Sequence, residues 1–340
     1  MALELVKPPL RHEKLVTVGV PIYRRLHYLP HVLDIVAAQD YPHVELLVSD
    51  NGENGQLVHE AVRRHYAGPS RVRQNPTTVP MSIHFNQIVN EAAGEYFVLL
   101  ADDDELSSNY VSELVSALER NRASAAMGIV ELIDETGKLV SRSSKKIPET
   151  LSGPEFVRAM WKTSKYGYAS FSTFLARTAD LVQCGGYPDF WRGRGNDDAL
   201  IVKLCMDNKV AFSTRCVYRK RFYESSFGFS LSTQDLARGM TDFLKFLDSD
   251  PVLLRFSKHH PAAWKEAKRI LVEMIWKTYY MTWAEREKAG LSRTQWVRAG
   301  FALPFVPAYY KAVAHTLASS AWSTVRKVLS GRNAADLAGL

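Results

Sequence analysis

The chain has 340 residues, 46% hydrophobic and 23% charged, enough to bury a substantial core and unlike a disordered tail or a small disulfide scaffold. The formal charge is +7, yet residues 1–230 hold 27 Lys and Arg against 27 Asp and Glu, while residues 231–340 hold 16 against 9. The excess thus belongs to the C-terminal third, which also carries five of the seven tryptophans, and a nucleic-acid-binding reading has nothing behind it beyond net charge.

Taken in chain order, Met1 to Lys14 lacks the apolar stretch of a secretory signal, so the protein is expected in the cytoplasm. Leu15 to Val20 is apolar and β-branched and reads as a buried first strand stopped by Pro21. Leu29, Val32, Leu33, Ile35 and Val36 recur at helical spacing before Tyr41-Pro42. Glu45 to Ser49 is a second strand ending in Asp50-Asn51-Gly52. A helix over Gln56 to Tyr66, a strand near Arg71 to Gln74 and a helix over Ser82 to Ala92 follow. Glu95 to Ala101 is then a strand running directly into Asp102-Asp103-Asp104.

A helix over Ser107 to Asn121 comes next, and Ala125 to Val140 reads as a hairpin turning at Asp134 to Gly137. Gly153 to Lys162 is expected to be helical, Phe171 to Ala176 a strand, and Asp197 to Asp207 a helix. The last strand lies near Val210 to Tyr218, with Arg219, Lys220 and Arg221 after it. From Leu231 onward the chain is helical, aromatic and basic. Internal repeats and low-complexity tracts are absent from the sequence. Cys184, Cys205 and Cys216 have no metal-ligand spacing and read as reduced structural thiols. The most apolar run, Ala299 to Ala321, is interrupted by Pro304, Pro307, Lys311 and His315, which argues against a membrane span.

Alternating strands and helices imply an α/β architecture with a mostly parallel sheet and helices on both faces, followed by a helical region. Such sheets bind ligands at the C-terminal ends of their strands, where Asp50 and Asp102 to Asp104 fall. Three adjacent carboxylates repel one another unless a cation neutralises them. Mg²⁺ or Mn²⁺ suits such hard oxygen ligands and leaves coordination positions for diphosphate oxygens.

The stretch VTVGVPIYRRLHYLPHVLDIVAAQDYPHVELLVSDNG followed by NEAAGEYFVLLADDDEL resembles the nucleotide-binding half of the family 2 glycosyltransferases of the GT-A fold. The likeness continues through Gly185 to Asp189 and Gly195 to Leu200, covering residues 14–230 in order. It implies that Pro21, Tyr23 and Arg24 line the nucleotide pocket and that Asp50 contacts the base. It also implies that Asp102, Asp103 and Asp104 form the metal-binding Asp-x-Asp element, with one acid on the ribose, and that Asp197 is the general base, with Asp198 as its rival. Arg219 and Arg221 are candidates to supplement the metal on the diphosphate. Two departures stand out: Arg24 occupies a position where many members have Asn, and Asn196-Asp197 stands where members often have Glu-Asp. The Gln-x-x-Arg-Trp element of processive polymerases is missing, which favours single additions.

The resemblance therefore implies an inverting transfer of a sugar from a nucleoside-diphosphate sugar to an acceptor hydroxyl, in bacterial surface polysaccharide or glycolipid synthesis. The acceptor is expected to be a saccharide or a lipid-linked saccharide. The expected layout is a catalytic domain over 14–230, with nucleotide-binding and acceptor halves at 14–106 and 107–230, and a basic, aromatic helical region over 231–330. That region either packs against the catalytic domain or docks peripherally on an anionic membrane at its inner face. The alternatives are a degenerate glycosyltransferase-like binding or scaffold protein and a sugar nucleotidylyltransferase. The latter expects a Gly-rich, Arg-containing loop that VGVPIYRR lacks. His84, on an amphipathic helix, reads as a structural residue.

Overall fold

A computed structural model describes residues 12–143, 147–162, 174–222 and 233–287, with side chains in the last helix described as far as Ile275. The readings on Phe171 to Thr173 and on the chain from 288 onward lie outside the described residues, as do the side chains of Trp276, Tyr280 and Trp283.

The first half follows the expected alternation: β1 (His12–Ile22), α1 (Leu29–Ala37), β2 (Val44–Asp50), α2 (Gln56–His65), β3 (Ser70–Gln74), α3 (Met81–Glu91) and β4 (Gly94–Leu99). Then come β5 (Glu105–Leu106), α4 (Tyr110–Asn121), β6 (Ala125–Ile133), β7 (Leu139–Arg142), β8 (Thr150–Ser152), α5 (Gly153–Val157) and β9 (Phe174–Arg177). The described chain continues through α6 (Thr178–Gln183), α7 (Asn196–Cys205), β10 (Lys209–Arg221), α8 (Thr233–Ser249), α9 (Pro251–His259) and α10 (Pro261–Glu287). Residues 1–268 form one compact unit, which includes α8 and α9, and residues 269–340 form a second.

The sheet order is β3-β2-β1-β4-β9-β6-β10-β5, with β7 on β6 and β8 on β10. β3, β2, β1 and β4 are mutually parallel. β9 is antiparallel to both β4 and β6, and β10 runs parallel to β6. Strand alternation divides the core into two faces. Val16, Val18, Val20, Tyr96 and Val98 pack with α1, α2 and α4 residues such as Val32, Val58 and Leu114. Phe97 and Leu99 pack with Ile88 of α3, Phe156 of α5 and Leu200 of α7. Gly19 faces this second side, where an added Cβ would lie 2.6 Å from Ile88 Cγ2.

Two strand ends and one helix differ from the sequence expectation. β1 runs through Pro21 to Ile22, paired with Ser49 and Asp50. The β1–β4 pairing ends at Gly19–Leu99, and Gly19 O accepts from Leu100 N while Ile22 O accepts from Asn51 N. By alternation the Pro21 nitrogen faces the β4 side past the last pair, so the missing N–H costs no ladder bond. β10 likewise extends to Arg221 because β6 pairs with it as far as Ile133. Arg219, Lys220 and Arg221 are therefore strand residues with alternating directions. The helix expected over 153–162 is α-helical only to Val157 and continues as a π-turn over Arg158–Lys162.

Candidate active site

The acidic run connects β4 to β5, and β5 pairs with Tyr218 and Arg219 near the C-terminal end of β10. That pairing brings Asp102 to Asp104 beside the basic end of β10, although more than a hundred residues separate them. The three acids then take different partners. Asp104 Oδ2 accepts from the Tyr218 hydroxyl at 2.6 Å, and its Oδ1 accepts from Arg221 N at 2.8 Å. Both Asp104 oxygens thus have partners on β10, and the side chain is buried.

Asp102 and Asp103 share one cation. Arg25 Nη2 donates to Asp102 Oδ1 at 2.5 Å, and Arg25 Nη1 donates to Asp103 Oδ2 at 2.6 Å. The Asp102 carboxyl is raised to about 7, chiefly by burial and also by the neighbouring acids, against the opposing pull of Arg25. Burial also raises Asp103, against the charges of Arg25, Lys220 and Arg221. The bridging guanidinium offsets part of the repulsion between two buried carboxylates and favours their charged forms.

The nominated basic residues divide by strand direction. Arg221 is buried, with Nε on Asp103 O at 2.9 Å, Nη1 on the Asp134 and Glu135 carbonyls and Nη2 on Glu105 at 2.7 Å. Arg219 Nε donates to Glu131 at 2.9 Å. Both guanidinium groups thus brace β5, β6 and the hairpin. Lys220, between them, is a charge that draws Asp103, Asp104, Asp197 and Asp198 downward.

Asp197 and Asp198 stand in the first turn of α7, behind Gly195 at φ 80°. Burial raises both; Asp198 reaches about 7, pushed further by Asp197 and opposed by Arg194 and Lys220. The adjoining Asn196 is fully buried, and neither of its amide atoms has a partner among the described residues. The loop before α7 is gripped by α8: Trp191 N donates to Asp242 at 2.8 Å and Trp191 Nε1 to Asp235 at 2.6 Å. Phe190 packs against Phe243 and Phe246.

At the end of β2, the Asp50 carboxylate accepts from Gly52 N, Asn54 N, Gly55 N and Asn54 Nδ2, all within 2.9 Å. Asn54 Nδ2 also donates to Tyr23 O at 2.7 Å, and an added Cβ on Gly52 would fall 1.3 Å from that same carbonyl. Asp50 therefore organises its own loop and, through Asn54 and Gly52, the backbone of the loop after β1. Pro21 ends β1, Tyr23 is exposed, and the Arg24 guanidinium lies over the Tyr23 ring at 4.7 Å. Asp102 and Asp103 thus share Arg25, Asp197 and Asp198 share the first turn of α7, and Pro21, Tyr23 and Asp50 lie at the ends of β1 and β2. The structure leaves Asp104, Arg219 and Arg221 in bracing roles. Sequence reading nominated Arg24 and missed Arg25, because two adjacent arginines in a loop carry no periodicity to say which turns inward. It read the chain from Leu231 onward as helical but not α8's hold on this loop, because nothing local marks a helix as the clamp of a loop forty residues earlier.

Known proteins add a family. The family model described as Glycosyl transferase family 2 matches residues 17–184. An uncharacterized glycosyltransferase of Rickettsia bellii is 27% identical over 128 residues, 37% of this chain and 18% of that protein, so the chain spans about a fifth of that relative. S. aureus TarS residues 1–349 in complex with UDP superposes with a TM-score of 0.58 at 16% identity, covering 88% of this chain and 81% of that one. A mannosyltransferase from Pyrobaculum calidifontis in complex with GDP-Man and Mn²⁺ gives 0.50 at 17% identity, covering 89% and 84%. These likenesses show the fold, GT-A.

Among the described residues no group of three or more His, Cys, Asp or Glu side chains is arranged to hold a metal ion. The donor set that does converge is one oxygen each from Asp102 and Asp103, already bridged by a cation. Two hard carboxylate oxygens fit Mg²⁺ or Mn²⁺, which draw their remaining ligands from phosphates and water.

Proposed function

The chain belongs, through residues 17–184, to glycosyl transferase family 2, and from that premise we propose that it transfers a sugar from a nucleoside-diphosphate sugar to an acceptor hydroxyl with inversion. The observation that carries the reading is the Asp102–Asp103 pair bridged by Arg25 at the end of β4, with a second acidic pair in the first turn of α7 that feels the same Lys220 charge. Asp102 and Asp103 sit at the strand-end turn after β4, and Asp197 and Asp198 sit at the N-terminus of α7. One group suits the donor diphosphate and the other suits the acceptor.

In this reading residues 14–230 are the catalytic domain. Asp102 and Asp103 would hold the divalent cation, Mn²⁺ or Mg²⁺. When bound, that ion supplies positive charge to the departing diphosphate. Lys220 adds a positive charge that both acidic pairs feel. Asp197 removes the acceptor proton, and its burial, which raises its proton affinity, suits a general base. The unpaired, fully buried Asn196 amide beside it suits an ordered water. Tyr23 and Arg24, on the loop tied down by Asn54, flank the base and ribose. The acceptor is a saccharide or lipid-linked saccharide of bacterial surface polysaccharide or glycolipid synthesis.

Thermal unfolding with UDP, GDP, dTDP and CDP, each with and without Mn²⁺ or Mg²⁺, tests the proposal. One nucleoside diphosphate raises the unfolding temperature only with metal present, and Asp103→Asn loses that shift. Asp197→Asn keeps the shift and slows transfer by about a hundredfold or more. No metal-dependent shift with any of the four would sink the reading, and a fully active Asp197→Asn enzyme would move the base to Asp198.

A further inference from the structure

Arg25 lies at the centre of the acidic site, in the place the sequence reading kept for a divalent cation. Its guanidinium spans Asp102 Oδ1 and Asp103 Oδ2 at 2.5 and 2.6 Å. The side chain is 36% exposed while the carboxylates are 7% and 10% exposed, so it covers them from the solvent side. It belongs to the loop after β1, whose Tyr23 carbonyl is fastened to Asn54. The same loop therefore carries both the clamp on the acids and the residues assigned to the nucleotide.

We propose that Arg25 is the resident counter-ion of this site and couples cation entry to nucleotide entry. In the nucleotide-free protein it holds the two carboxylate oxygens that a divalent ion needs. A guanidinium binds phosphate as readily as carboxylate through the same two-pronged geometry. An arriving nucleoside diphosphate therefore offers Arg25 a second anion. Arg25 leaves the acids for the phosphates, and the exposed Asp102 and Asp103 oxygens accept the ion that accompanies them. The ion alone must displace Arg25 with nothing in exchange, so it binds weakly. By linkage, nucleotide and ion each raise the other's affinity. The proposal rests on the metal-and-nucleotide reading above.

The test is Mn²⁺ binding to the full chain, read from the paramagnetic resonance signal of the free ion, first with no nucleotide and then with UDP or GDP. Without nucleotide, Arg25→Gln binds Mn²⁺ about tenfold more tightly than the wild type, within the usual range of coupling strengths. With Mn²⁺ present, the same variant binds UDP or GDP about tenfold more weakly. Arg25→Lys keeps the charge, loses the fork and falls between the two, which also guards against a folding defect in the glutamine variant. If Arg25→Gln and Arg25→Lys both keep the wild-type Mn²⁺ affinity while Asp103→Asn lowers it, the Arg25 proposal is overturned and the metal reading stands. If neither wild type nor Arg25→Gln takes up Mn²⁺ with or without nucleotide, the metal reading falls and the proposal with it.

Discussion

His84 is buried on α3, with Nε2 2.8 Å from Ser49 Oγ and 3.2 Å from Ser49 O, and burial lowers its pKa to about 4. The unfolded chain takes up this proton near pH 6.5, so stability present above that value is lost as the pH falls toward 4. Between pH 7 and 5 the loss is about 2 kcal/mol. Denaturant midpoints should show it in the wild type and a flatter profile in His84→Gln, which keeps a donor toward Ser49 but cannot titrate; parallel profiles would refute it. The structural role of this residue was legible from its place on an amphipathic helix, but its hydrogen-bond partner was not. Asp104 shows the converse case. Three identical residues in a row offer no local distinction, and only Tyr218 and the Arg221 amide, from a strand far along the chain, separate the third from the first two.

At the scale of elements, the β1–α3 contact sets the spacing on one face of the sheet. Gly19 lets α3 approach until an alanine Cβ would sit 2.6 Å from Ile88 Cγ2 and 3.0 Å from the Phe97 ring. Gly19→Ala should destabilise by about 1–3 kcal/mol through overpacking. Ile88→Ala, which removes the clashing methyl, should recover part of that loss in the double variant, and strict additivity of the two losses in thermal unfolding would disprove the contact. The periodicity of the β1 to β4 segment made these elements readable because each buries one regular face. Strand ends were less readable. β1 passes through Pro21 and β10 passes Tyr218 because a neighbouring strand decides where pairing stops. The same lengthening sorts Arg219 and Arg221 from Lys220, giving the first two to Glu131 and Glu105 and leaving Lys220 to the acids.

For the molecule as a whole, the charge excess remains in residues 231–340, while the compact unit that contains the sheet extends to Lys268. Of the two readings of the region from 231 on, packing against the catalytic domain holds for α8, which grips the loop that leads into Asp197. None of the helices among the described residues is long and apolar enough to cross a membrane. For the remaining basic, Trp-rich chain we propose a docking role at an anionic lipid surface. The full chain should float with vesicles containing anionic lipid, stay behind with neutral ones, and be released by high salt, since surface attraction is screened within about 8–10 Å. Equal behaviour toward both lipids would remove the membrane proposal.

What the sequence alone determined is the order of β and α elements through β4, the strand ends on which the acids fall, and the family resemblance those acids complete. These follow from local periodicity and from residue types adjacent in the chain. Which acids share a guanidinium, which arginine supplies it, and which helix fastens the loop before Asp197 were decided only in the tertiary structure. Each depends on a charge or a backbone group brought in from a distant strand or loop, and the low dielectric of a buried site makes that partner, more than the residue's own type, set what the carboxylate does.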